Sequence, residues 1–127
     1  MDLIKNIILT SRPKQQIKNI LVIIPFILSV NLWYSLPSNL IINLSTNVLI
    51  GLVSFILGSW FIYIVNDYID RNADKNHPEK SNKPIASNKI PQNLIMLVSA
   101  LILISSVSFG LITVSYTHLT LPTTPYV

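Results

Sequence analysis

Half of the 127 residues are hydrophobic and only 11% are charged, with a mean hydropathy of +0.55, where a soluble domain carries roughly 25% charged residues. The deficit is local: no Asp, Glu, Lys or Arg falls between Lys18 and Asp67 or after Lys89, which excludes a water-soluble fold. The lack of cysteine excludes disulfides, zinc–thiolate sites and Cys nucleophiles. The net charge of +4 is no nucleic-acid signature, because the positive residues flank apolar runs and form no basic surface interleaved with aromatics.

Residues 1–19 form an N-terminal arm holding Lys5, Arg12, Lys14 and Lys18. A long apolar run follows without a small-residue cleavage site, so the arm is not a signal peptide. A membrane-crossing helix needs about 20 largely apolar residues, and three segments qualify. The first covers residues 20–36 and is expected to kink at Pro25. A short polar turn, 37–43, joins it to the second, 44–65, where Gly51 and Gly58 suit close helix packing. A loop over 66–91 leads to the third, 94–113. The expected architecture is all-α: a polytopic membrane protein with three transmembrane helices. Cytoplasmic loops are enriched in Lys and Arg. The arm holds four, the 37–43 turn none and the large loop five (Arg71, Lys75, Lys80, Lys83, Lys89). Arm and loop are therefore expected on the cytoplasmic side. The string from Val114 to Thr123, VSYTHLTLPT, reads as a translated sequencing adapter, so residues 114–127 are expected to be a non-native tail, with an ordinary polar tail after the third span as the alternative, and Tyr116 and His118 carry no functional weight.

Four of the five acidic residues crowd into the start of the large loop: Asp67, Asp70, Asp74 and Glu79. If the second helix continues past Val65, its 3.6-residue period brings Asn66, Asp67, Asp70 and Asp74 within an arc of about 100°. Clustered carboxylates repel unless a cation neutralises them. Mg²⁺ takes oxygen ligands, commonly one or two carboxylates together with substrate phosphates. The pattern therefore suits Mg²⁺ held by Asp67, Asp70 and Asp74, with Asp67 and Asp70 foremost in catalysis and a diphosphate as the second ligand. An EF-hand does not fit, because the spacing is helical. The plainer alternative is a solvated helix end whose aspartates pair with nearby Arg and Lys; the charge-free span before it and the third Asp count against that.

Downstream, His77-Pro78 and Lys83-Pro84 end the helix. Lys80 and Lys83 could fold back onto bound phosphates or simply anchor the loop at the membrane surface. His77 is expected to cap a turn. In the arm, Arg12, Lys14 and Lys18 lie on the same side as the acidic motif, where they could meet an anionic substrate or lipid headgroups.

These strings together resemble the UbiA superfamily of polytopic prenyl and glycosyl transferases. Asn66-Asp67-x-x-Asp70-x-x-x-Asp74 matches the family's first Asp-rich motif, N-D-x-x-D-x-x-x-D, at every defined position. The resemblance implies a helical bundle around a central cavity, with Asp67, Asp70 and Asp74 on Mg²⁺ and diphosphate and Asn66 in support. The strings RPKQQIKN before the first span and HPEKSNKPIAS after the motif are most similar to one branch, the decaprenyl-phosphate phosphoribosyltransferase-like one. That branch joins 5-phosphoribosyl diphosphate to a polyprenyl phosphate, and by its analogy Arg12, Lys18, Lys80 and Lys83 contact substrate phosphates. Gln16 stands where the branch commonly has Trp and Lys83 where it has Arg, and a Lys cannot give Arg's bidentate contact. Aromatic prenyltransferases, which take a prenyl diphosphate donor, share the Asp motif but differ in these flanks. A small non-enzymatic membrane protein with a cation-binding loop is the third alternative. The resemblance covers roughly residues 11–113. The family's second Asp-rich motif is absent, so the chain is expected to be inactive by itself.

Overall fold

Prolines decide how the apolar N-terminal part of the chain becomes helical. The computed structural model describes residues 2–120, with side chains through 115, and among these every regular element is helical. Helix α1 (Asp2–Thr10) ends in a turn where Arg12 takes a left-handed conformation, φ 51. Helix α2 (Pro13–Gln16) starts on Pro13, whose missing N–H costs nothing at that position. A 3-10 stretch follows (Ile17–Ile23), then α3 (Ile24–Leu28), then α4 (Val30–Trp33).

The expected first span is thus helical but in short pieces, and residues 20–36 contain no unbroken helix of crossing length. Pro25 sits in the first turn of α3, where it cannot donate into the 3-10 stretch before it. A second break, unforeseen, comes at Ser29 (φ −85, ψ 12), whose Oγ donates to the Phe26 carbonyl at 2.8 Å. Trp33 closes over the break: its ring stacks on Phe26 at 4.8 Å and its Nε1 donates to the same carbonyl at 2.9 Å.

Helix α5 (Ser38–Ile69) begins directly after the extended Pro37. The expected 37–43 turn is therefore shorter than anticipated, because residues 38–43 already form the first turns of α5. With 32 residues the helix is about 48 Å long, against roughly 30 Å of hydrocarbon, so it carries its acidic end beyond the apolar span. It stops at Asp70 (φ −85, ψ 1), and α6 (Arg71–Lys75) resumes at once. Helix α7 (Gln92–Thr120) runs back antiparallel to α5. It continues through 114–120, while the remainder of the expected non-native tail, 121–127, lies outside the described residues.

The segments Ser38–Ile69 and Gln92–Ser115 are long and apolar enough to cross a membrane, and only 6% and 11% of their most apolar windows are buried within the molecule. A core helix of a soluble protein would be mostly buried, so these helices present apolar surface outward. Where they meet, small residues let the backbones approach. Ser54 Oγ donates to the Ser106 carbonyl and Ser106 Oγ to that of Ser54, both at 2.8 Å.

The buried core lies at the acidic end of α5, built from Ile64, Ile95 and Ile102 of the two helices with Ile85 and Ile90 of the connecting loop. The loop therefore plugs the hairpin instead of lying in solvent. Its tight turn is made by Asn88 at φ 56, a conformation Asn tolerates better than most side chains. Ile7 of α1 packs on the same cluster, and Trp60 Nε1 donates to the buried Thr10 hydroxyl at 2.9 Å. Trp60→Phe removes that bond, at a cost of about 1 kcal/mol. Faster amide exchange confined to residues 2–12 is the expected result; unchanged exchange there would show that the bond does not hold the arm.

Candidate functional site: an acid–base cluster at the end of α5

Four charged side chains from three parts of the chain meet where α5 leaves its apolar span. Asp67 points inward, its side chain 6% exposed, and its Oδ1 accepts from Arg12 Nη2 at 2.6 Å and from Lys83 Nζ at 3.2 Å. Lys83 Nζ also lies 3.4 Å from Oδ2 of Asp74, which is equally buried. Two carboxylates and two cations thus balance, which is how buried charge is tolerated.

Local chemistry explains each placement. Asp67 and Asp74 are seven residues apart, about two helical turns, so they remain on one side despite the break at Asp70. Lys83 precedes Pro84, which holds it extended (φ −60, ψ 142) after the short 3-10 turn Lys80–Asn82 and aims it back at α5. His77 starts that turn: its Nδ1 accepts from the backbone N–H groups of Glu79 and Lys80 at 3.2 and 3.3 Å. The expected capping role of His77 is what the structure shows. Arg12 arrives from the turn after α1, which Gln16 braces by donating Nε2 to the Ser11 carbonyl at 3.0 Å.

Of the residues singled out from the sequence, Arg12, Asp67, Asp74 and Lys83 come together. Asn66 and Asp70 are exposed on the outer edge of the same helical face. Lys18 and Lys80 are also exposed and join no ion pair among the described residues. Among those residues no three His, Cys, Asp or Glu side chains converge as a metal-holding group, so the carboxylates gather as a pair, Asp67 with Asp74. That pair suits a hard cation, since a single ammonium already reaches both, and one or two carboxylates plus phosphate oxygens make a usual Mg²⁺ donor set.

One contributor was missed in the sequence. The Arg12 guanidinium carbon lies 4.9 Å from the centre of the Tyr63 ring. Tyr63 precedes Asp67 by four residues, the spacing that stacks side chains on a helix. Arg71 is held apart from the cluster: it stacks on Tyr68 at 4.1 Å and donates to the Tyr68 carbonyl, while Gln92 donates to the Tyr68 hydroxyl at 2.6 Å.

Fold and site together define a helical membrane protein with a charge-balanced acidic motif at the end of a spanning helix. The UbiA prenyltransferase family model matches residues 22–124, and the chain belongs to that family. Among curated proteins it is similar to three named decaprenyl-phosphate phosphoribosyltransferase. The identity is 30% for that of Mycolicibacterium smegmatis, over 83% of this chain and 32% of the relative. It is 35% for that of Corynebacterium glutamicum, over 77% and 29%. For that of Mycobacterium tuberculosis it is 28%, over 84% and 34%. The chain thus spans about a third of the length of the curated relatives it matches. No solved structure matches it.

Proposed function

We propose that this chain supplies the diphosphate-binding part of a Mg²⁺-dependent membrane transferase that moves 5-phosphoribose from phosphoribosyl diphosphate to a polyprenyl phosphate. The observation that carries the reading is the pairing of Asp67 and Asp74 around one cation, with Arg12 alongside. Mg²⁺, when bound, supplies the positive charge that holds the diphosphate and stabilises it as a leaving group. Asp67 and Asp74 provide oxygen ligands from the buried edge of the helix, and Asp70 provides one from the exposed edge. Arg12 and Lys83 carry N–H donors that pass from carboxylate to phosphate oxygens as the donor enters. Lys18 and Lys80, both exposed, add positive charge that raises the local concentration of anions. The arm and the acidic loop lie on the cytoplasmic side, supported by their nine Lys and Arg against none in residues 37–43. A polyprenyl co-substrate then reaches the cluster along the apolar surfaces of α5 and α7.

The test is a hybrid in which residues 2–113 replace the equivalent third of the Corynebacterium glutamicum relative. Phosphoribosyl transfer to decaprenyl phosphate that requires Mg²⁺, and that prenyl diphosphates do not inhibit, is the expected result. Inhibition by a prenyl diphosphate but not by phosphoribosyl diphosphate would move the assignment to an aromatic prenyltransferase.

A further inference from the structure

We infer that Tyr63 is a positioning residue that holds the Arg12 guanidinium in the phosphate-binding cluster independently of Asp67; this rests on the proposed diphosphate site. Three observations converge on it. Arg12 is attached through a left-handed backbone at the junction of α1 and α2, a conformation that non-glycine residues adopt only under constraint. Its side chain spends one of five N–H donors on Asp67, and 34% of it stays exposed. Its planar head lies over the Tyr63 ring, one helical turn before Asp67.

Ring and carboxylate therefore make a two-point seat. The ring holds the guanidinium from one side by cation–π attraction at 4.9 Å, and the carboxylate holds it through one N–H at 2.6 Å. The two contacts differ in what they require. The carboxylate contact competes with any cation that Asp67 binds, whereas the ring contact does not. When Asp67 engages a cation, Arg12 would be released into a wide rotamer space if Asp67 alone held it. With Tyr63 beneath it, the guanidinium stays over the cluster with its free donors available, and little side-chain entropy remains to be lost when a phosphate arrives. A methionine or aliphatic residue at 63 would serve helix packing equally well but would give no such seat.

The experiment uses the whole chain in lipid nanodiscs, with inorganic diphosphate and Mg²⁺ as the probe and calorimetry as the readout. Tyr63→Leu should weaken diphosphate binding by about three- to tenfold, and Tyr63→Phe, which keeps the ring, should stay within about twofold of the parent. In an Arg12→Ala background Tyr63→Leu should add nothing further, because the residue acts through Arg12. Parent-like binding by Tyr63→Leu, or a loss that persists in the Arg12→Ala background, overturns the inference while leaving the diphosphate site standing. A parent chain that binds no diphosphate removes the proposed site and the role of Tyr63 with it.

Discussion

Asp67→Asn in the transfer-competent hybrid is expected to lower phosphoribosyl transfer at least about a hundredfold, the loss typical when one preorganised electrostatic partner of a reacting group is removed. The same change should also cost about 2 kcal/mol of stability. Asn keeps the size and one acceptor oxygen but removes the charge that Arg12 and Lys83 share, leaving Arg12 without its carboxylate and Lys83 with Asp74 alone. Asp70→Asn provides the internal comparison. Asp70 is exposed and enters no ion pair among the described residues, so its replacement should leave stability within about 0.5 kcal/mol while still impairing transfer. Thermal unfolding in detergent, paired with the transfer assay, separates the two effects. If Asp67→Asn lost neither activity nor stability, the cluster would be neither a site nor a structural element. If Asp70→Asn kept full activity, the Mg²⁺ site would be reduced to the Asp67–Asp74 pair.

The contrast between Asp67 and Asp70 also shows how far the sequence could be read. A 3.6-residue period puts Asn66, Asp67, Asp70 and Asp74 in one arc of about 100°, with Asp67 and Asp74 at one edge and Asn66 at the other. Periodicity cannot say which edge faces the protein. The structure settles it through the partners: Arg12 and Lys83 approach the Asp67–Asp74 edge, and Asn66 and Asp70 are left outside. Likewise, Lys80 and Lys83 looked equivalent in the sequence. Pro84 distinguishes them, because it holds only Lys83 extended and so aims only that lysine back at α5.

Spans 44–65 and 94–113 were legible because a charge-free apolar run of that length has few other solutions. Span 20–36 has the same composition, yet breaks at Ser29, whose hydroxyl takes the Phe26 carbonyl as an acceptor. A single Ser in an apolar run gives no warning of that. The 66–91 loop gave no expectation of burial, although two isoleucines inside SNKPIASNKIP were the available sign that it is tucked in. Tyr63 carries no charge and sits in an apolar run, so only its i, i+4 relation to Asp67 marks it in the sequence.

The second large effect is expected far from the acidic cluster, at Gly58. A Cβ built there would stand 3.2 Å from Ser106 Oγ, and one at Gly110 would stand 3.2 Å from Ser54 Oγ. Those two hydroxyls are already committed to the reciprocal bonds across the helix pair, so neither can swing aside without breaking its interhelical bond. Gly58→Leu must therefore push α5 and α7 apart. It should cost about 2–4 kcal/mol, from overpacking together with two lost interhelical bonds of about 0.6 kcal/mol each. Gly51→Ala is the matched control. Its Cβ would meet Thr113 Cγ2 at 3.8 Å, an ordinary contact, and alanine favours the helix by up to about 1 kcal/mol, so it should be neutral or stabilising. Distances between spin labels on the outer faces of the two helices would register the separation directly. If Gly58→Leu left both spacing and stability unchanged, the close approach would be disproved. If the helices separate, the effect should extend to the acidic end. Ile64 and Ile102 pack in one cluster with Ile85, two residues after Lys83, so widening the hairpin loosens the loop from which Lys83 reaches Asp67 and Asp74. Weaker diphosphate binding in Gly58→Leu, with every charged residue intact, would then show that the cluster depends on how closely two apolar helices pack.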